Sequence, residues 1–368
     1  MAREELASWL RLQLTPGIGR DGARKLLAAF GLPAAIFEQA APALRAVIGP
    51  RHAEALLSPP EGFDTALDTL NRWLDASADH HVVTLGDAAF PSALLEAADP
   101  PLFLYALGQL DTLALPHKIA IVGSRNPTPQ GQINARQFAE ALSQAGLCVV
   151  SGLALGVDGA AHEGALDAGA PTVAVVGTGL DRVYPKRHLD LAHRIAANGI
   201  LISEYPLGTP PLPAHFPQRN RLIAGLCQGT LVVEAAVASG SLITARLATE
   251  MGRDVFAIPG SIHAPQARGC HALIRQGAKL VESAQDVLED LQMPGAGPST
   301  GFSDAAPPLG PEPEGLLKAM GYEPVGLDAL QARTGLDTAS LQAQLLELEL
   351  DGHIGRLPGG LLQRLGSA

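Results

Sequence analysis

From Lys118 to Asp290 the chain repeats one pattern: a short apolar run without alternation, a small or polar turn, then apolar residues at helical spacing. Unbroken apolar runs suit strands buried on both faces, as in a parallel sheet, and the helical spacing suits elements that cover it. The strands predicted are Ile119–Gly123, Leu147–Ser151, Thr172–Gly177, Gly199–Ser203, Thr230–Glu234 and Asp254–Ile258. Helices are expected at about Gln132–Gln144, Asp158–Asp167, Leu189–Ala197, Asn220–Ala224 and Leu242–Met251. Alternation of this kind gives an α/β fold, a Rossmann-like parallel sheet with right-handed crossovers. Its strands end in Gly123-Ser-Arg125, Ser151-Gly-Leu, Gly177-Thr-Gly and Ser203-Glu-Tyr, on the one rim where open α/β sheets hold their ligands.

The flanks read differently. Residues 1–75 look helical: Leu6, Leu10, Leu12 and Leu14 lead into Thr15-Pro-Gly-Ile-Gly19, and Ala23, Leu26, Leu27 and Phe30 follow at helical spacing. The Pro-Gly-x-Gly turn resembles a helix-hairpin-helix, in which backbone N–H groups can hold a phosphate; Arg20, Arg24 and Lys25 stand nearby. With only one copy of the motif, a plain hairpin of two helices closing a small bundle explains it better. His81–Leu85 and Leu102–Tyr105 read as strands of a lead-in that packs on the central domain, so that 80–290 forms one unit. Residues 291–313 are dominated by Pro, Gly and Ser and read as a linker. In 314–368, helices at Gly315–Met320, Leu327–Thr334 and Thr338–Asp351 precede a hairpin over 353–365, the pattern of a winged helix.

Net charge is −11, which argues against nucleic acid until it is divided along the chain. Residues 1–117 hold 8 basic and 14 acidic side chains, residues 118–290 hold 14 of each, and residues 291–368 hold 4 and 9. A locally basic groove is therefore possible on the central unit, whereas the last unit repels phosphate. Its third helix has no Lys or Arg, so it is expected to serve protein contacts or regulation and to add little to DNA affinity. The opening Met-Ala-Arg-Glu-Glu has no apolar run and no stretch reaches 18 apolar residues, so a cytoplasmic protein without a membrane partner is expected. Cys148, Cys227 and Cys270 show neither CxxC nor zinc spacing and read as reduced packing thiols.

Several chemistries are absent by pattern. There is no GxxxxGK[ST] and no GxSxG. Gly177-Thr-Gly179 lacks the third glycine of a dinucleotide fingerprint, and Tyr184-Pro185 follows where a helix would run. Asp158 and His162 share a helix face, but a helix cap and a packed histidine explain them better than a catalytic pair. No metal or cofactor is expected. What converges on the inferred rim is cationic and polar: Gly123, Ser124 and Arg125; then Arg182, Lys186 and Arg187; then Arg219, Asn220 and Arg221; then Ser239-Gly240-Ser241 opening a helix that bears Arg246. Small residues before a helix present backbone N–H donors to an anion, and a row of bound phosphates would be a nucleic-acid backbone. Phe216 and Tyr184 are candidate stacking residues, and each fits a place in the core equally well.

Ile119-Ala-Ile-Val-Gly-Ser-Arg125, Ser151-Gly-Leu-Ala-Leu-Gly-Val-Asp-Gly-Ala-Ala-His162 and Gly177-Thr-Gly-Leu-Asp-Arg-Val-Tyr-Pro185 together resemble the DNA-processing protein A (DprA, or Smf) family. The likeness continues in Phe216-Pro-Gln-Arg-Asn-Arg221, Ser239-Gly-Ser-Leu-Ile-Thr244, Gly252-Arg-Asp-Val-Phe-Ala-Ile-Pro-Gly260 and Gly269-Cys-His-Ala-Leu-Ile274. The resemblance implies a homodimeric single-stranded DNA-binding protein that protects incoming DNA and loads a RecA-type recombinase in natural transformation, without enzymatic turnover. It implies that Arg125 binds phosphate, that Lys186 lies along the DNA, and that Arg219, Asn220 and Arg221 contribute. His188 and His271 stand where the family has Asn. A nucleoside-monophosphate hydrolase of the lysine-decarboxylase-like type is the alternative; Gly229-Thr-Leu-Val-Val-Glu234 lacks the Pro-Gly-Gly that such enzymes need. A pure interaction scaffold is a third reading.

Overall fold

The structure, a computed structural model, describes residues 2–97, 99–293, 315–322, 324–357 and 359–366. Among these the strands are β1 (His80–Thr84), β2 (Phe103–Gly108), β3 (Lys118–Val122), β4 (Cys148–Ser151), β5 (Thr172–Val176), β6 (Ile200–Ser203), β7 (Gly229–Val232), β8 (Asp254–Ala257), β9 (Lys279–Leu280), β10 (Ile354–Leu357) and β11 (Leu361–Arg364). The first nine form one sheet in the order β1-β2-β6-β5-β4-β3-β7-β8-β9. Neighbours from β6 to β9 are parallel, with Ile119 of β3 opposite Val149 of β4 on one side and Gly229 of β7 on the other.

The chain runs outward from β3 to β6 and then returns to place β7 beside β3. That reversal opens a crevice beyond the carboxyl ends of β3 and β7, the place where open α/β sheets bind ligands. β3 is buried throughout, which is why its sequence does not alternate, yet its two faces enter different cores. Ile119 and Ile121 pack with Phe138, Leu142 and Val157 of the Pro129–Gln144 and Val157–Asp167 helices. Ala120 and Val122 pack with Leu222, Ile223 and Leu226 of the His215–Leu226 helix.

The sheet is not wholly parallel. β1 and β2, expected only to pack on the central unit, extend it as antiparallel edge strands, with Tyr105 opposite Ser203. The helical segment in front of them (Arg3–Leu14, Gly19–Phe30, Pro33–Phe37, Ala41–Ile48, Pro50–Leu56 and Phe63–Ala76) shares a core with the sheet: Trp9, Leu10 and Leu26 belong to the same cluster as Phe103, Tyr105 and Ile195. At the seam Trp73 stacks on His80 with ring centroids 4.2 Å apart. Arg20, a candidate phosphate ligand of the hairpin turn, is committed there to Asp99 at 2.7 Å and Glu204 at 3.3 Å.

Helices Arg268–Arg275 and Ala284–Asp290 and the two-residue β9 were not expected, and the His215–Leu226 helix starts earlier than Asn220 because Pro217 is accommodated in its first turn. Helices Leu316–Met320, Leu327–Thr334 and Thr338–Leu350 with the β10–β11 hairpin form a winged helix around Leu330, Leu341 and Ile354. Most of the expected linker 291–313 lies outside the described residues.

Candidate nucleic-acid interface

The crevice at the β3–β7 reversal has a volume of about 390 Å³. Its floor is the turn after β3. Ser124 donates its N–H to the Glu234 carbonyl at 2.7 Å and accepts from the Val157 N–H at 3.1 Å, so the turn is tied both to the end of β7 and to the Val157–Asp167 helix. Gly156 makes this approach possible: its φ is +81°, and a Cβ there would lie 2.4 Å from the Ser124 carbonyl oxygen. Beyond the turn, Thr128 caps the Pro129–Gln144 helix, accepting from Gly131 N–H at 3.0 Å. Thr128 also donates its N–H and its hydroxyl to the Glu234 carboxylate, at 2.9 and 2.6 Å. Burial raises the Glu234 carboxyl above its ordinary value, while both Thr128 bonds pull it back. The N-terminus of this helix thus already carries a carboxylate supplied by the protein.

Arg125 stands exposed at the lip of the crevice, its guanidinium 5.8 Å from the Phe216 ring centroid. Among the described residues no carboxylate lies within ion-pair distance of it. Phe216 in turn lies 5.7 Å from Tyr184, centroid to centroid, and Tyr184 is 48% exposed. Lys186 and Arg187, also exposed and without a carboxylate partner among the described residues, follow in the next turn of chain. Arg125, Phe216 and Tyr184 are thus linked by successive contacts from the crevice outward, with two more exposed cations following Tyr184 in the chain.

The Phe216-Pro-Gln-Arg-Asn-Arg segment divides its labour in a way the sequence did not show. Arg219 lines the inner wall but is buried; it donates to the Gly152 carbonyl at 2.7 Å and to the Val175 carbonyl, and burial pushes its guanidinium down to about 10. Asp158 accepts from the Gly152 and Ala154 N–H groups at 3.1 and 3.3 Å; burial raises its carboxyl, opposed by Arg219. It is the anchor of the Gly152–Ala154 loop, not a helix cap. Asn220 donates to the Gly240 carbonyl at 3.3 Å and accepts from Arg219 at 3.2 Å, fixing the Ser239–Ser241 loop against the crevice. Arg221 faces away: it donates to the Asp99 carbonyl at 2.7 Å and pairs with the Glu204 carboxylate on the helical-segment side. Burial and those partners remove it from any ligand in the crevice.

Gly240 and Ser241 line the crevice, as expected, at the start of the Ser241–Glu250 helix. Arg246 does not; it pairs with Glu250 at 3.4 Å and faces a separate groove of about 650 Å³ toward β8 and β9. Sequence reasoning missed Glu234, Thr128 and the anchoring role of His188. The Thr128-Pro129 pair was a readable helix start. His188 Nδ1 donates to the Leu153 carbonyl at 3.0 Å, holding Leu153 at φ 59°, a left-handed conformation that a branched residue rarely adopts. His162 is fully buried beside Thr172, its Nδ1 2.8 Å from the Thr172 hydroxyl, and burial pushes its imidazole down to about 3, so it packs as a neutral ring. The three cysteines are free and buried.

A family model described as DNA recombination-mediator protein A matches residues 81–292, and one for the DprA winged helix domain matches residues 301–360. The chain is 41% identical over 320 residues to Protein Smf of Escherichia coli, covering 85% of this chain and 84% of that protein. It is 50% identical over 206 residues to DNA processing protein DprA of Streptococcus pneumoniae, covering 56% of this chain and 72% of that protein. It is also similar to the X-ray structure of DprA from Streptococcus pneumoniae, with TM-score 0.68, 38% identity, and coverage of 79% of this chain and 98% of that one. A structure of DNA processing protein A from Helicobacter pylori, described for its single-stranded DNA binding mode, matches with TM-score 0.53 and 33% identity over 58% of this chain and 96% of that one.

Proposed function

The chain belongs to the DNA recombination-mediator protein A family, and from that premise we propose that its crevice binds single-stranded DNA, protects it, and delivers it to a RecA-type recombinase during natural transformation, the protein acting as a homodimer and without turnover. The observation that carries the DNA reading is the contact chain Arg125–Phe216–Tyr184 leading out of the crevice, with exposed Lys186 two residues beyond Tyr184. Guanidinium and ammonium groups left without carboxylate partners suit phosphates, and partly open rings between them suit unpaired bases, every one of which has a face to stack. The crevice offers no helix bearing polar readers for base edges in a duplex groove, so the preference is for single strands of any sequence.

The test is a titration of labelled single-stranded and matched double-stranded oligonucleotides at several salt concentrations. Tighter binding of the single strand at each salt is the expected result; equal or tighter binding of the duplex contradicts the reading. Adding the strand and a RecA-type recombinase together checks the delivery step by the rate of filament formation. Incubation with AMP checks the absence of turnover, because released free base would revive a hydrolase.

A further inference from the structure

We propose that the first turn of the Pro129–Gln144 helix is the dock for this chain's own winged helix, and that the docked winged helix competes with single-stranded DNA for the Arg125 rim. The proposal rests on the reading of that rim as a single-strand site. Its starting point is a two-way contact. Gln130 Nε2 donates to the Gly366 carbonyl at 2.8 Å, and Gln130 Oε1 accepts from the Gly366 N–H at 2.7 Å. A side-chain amide here pairs with a backbone residue much as one strand pairs with another. Asn134 Oδ1, 2.7 Å from the same amide nitrogen, fixes the orientation of the Gln130 side chain. One residue earlier, Pro129 lies against β10 so closely that a Cβ on Gly355 would sit 2.8 Å from the Pro129 Cβ. Tyr322, Pro324 and Gln363 of the winged helix close a cavity of about 240 Å³ against Thr128, Glu234 and Pro259.

This dock lies one loop and one helical turn from Arg125, and the loop does not need it to keep its shape. Ser124 and Thr128 are tied to Glu234, and Asn126 gives its carbonyl to Gln266 Nε2 at 3.0 Å. What the docked domain brings is charge. Residues 314–368 hold 7 acidic against 4 basic side chains. Three of the cations are engaged within the domain: Arg356 pairs with Glu349 at 2.9 Å, Arg333 donates to the Ala319 carbonyl at 3.1 Å, and Arg364 lies 4.5 Å above the Tyr322 ring. An acidic domain and a polyanion held by neighbouring parts of one segment repel each other. By linkage the effect is mutual: docking lowers DNA affinity by the factor by which DNA loosens the dock.

The experiment uses the full chain. Gly355→Val disrupts the dock by its contact with Pro129 while placing a β-branched residue in a strand, where it is favoured. Gln130→Ala removes both amide contacts from outside the winged helix, so a damaged wing cannot explain a result common to both variants. Hydrogen exchange at the Gly366 amide reads the dock, and anisotropy of a labelled oligothymidylate reads DNA binding at low and high salt. The expected result is that each variant binds the oligonucleotide about fivefold more tightly than wild type at low salt. The gain should vanish at high salt, and the oligonucleotide should speed exchange at Gly366 in the wild type. Equal affinities, or exchange at Gly366 indifferent to the oligonucleotide, overturn the competition; weaker binding by both variants overturns it in favour of a winged helix that helps to hold DNA. A wild-type chain that binds no oligonucleotide sinks the single-strand reading instead. In that event, faster exchange at Gly366 in Gly355→Val than in wild type still establishes the dock, and equal exchange removes it.

Discussion

Arg125 and Arg219 show how burial divides one residue type between two tasks. Arg219 spends its donors on the Gly152 and Val175 carbonyls and is 5% exposed, so it shapes the wall of the crevice. Arg125 is exposed beside Phe216, with its fork of donors turned to solvent. A charge-assisted contact to phosphate is worth roughly 1.5–3 kcal/mol. Arg125→Ala should therefore weaken oligonucleotide binding by about tenfold or more with the melting temperature unchanged, read by anisotropy and calorimetry. Arg125→Lys should recover part of that loss, since a point charge replaces the planar fork. Wild-type affinity in a folded Arg125→Ala protein would remove Arg125 from the site. His162 makes a different prediction. Its imidazole is pushed down to about 3 by burial, far below its unfolded value near 6.5. The folded state then binds fewer protons than the unfolded state, so the contribution is fully present above about pH 6.5 and is lost as pH falls toward the folded value, by up to about 1.4 kcal/mol per pH unit. Urea unfolding of His162→Gln between pH 7 and 5 should show a flatter profile than wild type; parallel profiles would mean that His162 does not set the slope.

At the scale of elements, the strands of the central sheet were legible because each is a short apolar run stopped by a small residue, as at Ile119–Val122 before Gly123. The crevice was legible for a related reason: Gly123, Ser124, Gly240 and Ser241 all fall at strand or helix ends, and the reversal at β3–β7 brings those ends together. What the sequence could not show is direction around a helix. Arg219 and Arg221 are two residues apart on one helix, so they point to different sides, Arg219 to the Gly152 loop and Arg221 to Glu204. Nor does apolar periodicity disclose β9, which is two residues long, or the antiparallel joining of β1 and β2, which depends on pairing between distant segments. The turn after β3 depends on one glycine in particular. Gly156→Ala would set a Cβ 2.4 Å from the Ser124 carbonyl oxygen at a φ of +81°. It should displace the Arg125 turn and abolish oligonucleotide binding, while far-UV circular dichroism stays close to wild type. Retained affinity would show that the turn adapts without cost to binding.

The whole molecule is acidic, with net charge −11, so its attraction for DNA must be local and short-ranged. Three cations, Arg125 at the crevice lip and Lys186 and Arg187 just beyond Tyr184 in the chain, are exposed without a carboxylate partner among the described residues. Each phosphate neutralised on a single strand contributes about 0.7 to the slope of log affinity against log salt, so a slope of about −2 per chain is expected. A slope several times steeper would place many more phosphates on the protein than this rim can hold. The core shared between the helical segment and the sheet has a consequence for watching such binding by light. Trp9, buried in that core, and Trp73, stacked on His80, are the two tryptophans of the chain. Indole emission therefore originates wholly from the helical side, and no indole lines the crevice. A strand that settles on the rim should leave the emission spectrum unaltered, whereas loosening of the Trp73–His80 stack should brighten or shift it. Tyr184→Trp would place a third emitter beside Phe216, and quenching of that added signal by oligonucleotide would report occupancy of the rim without any dye on the DNA.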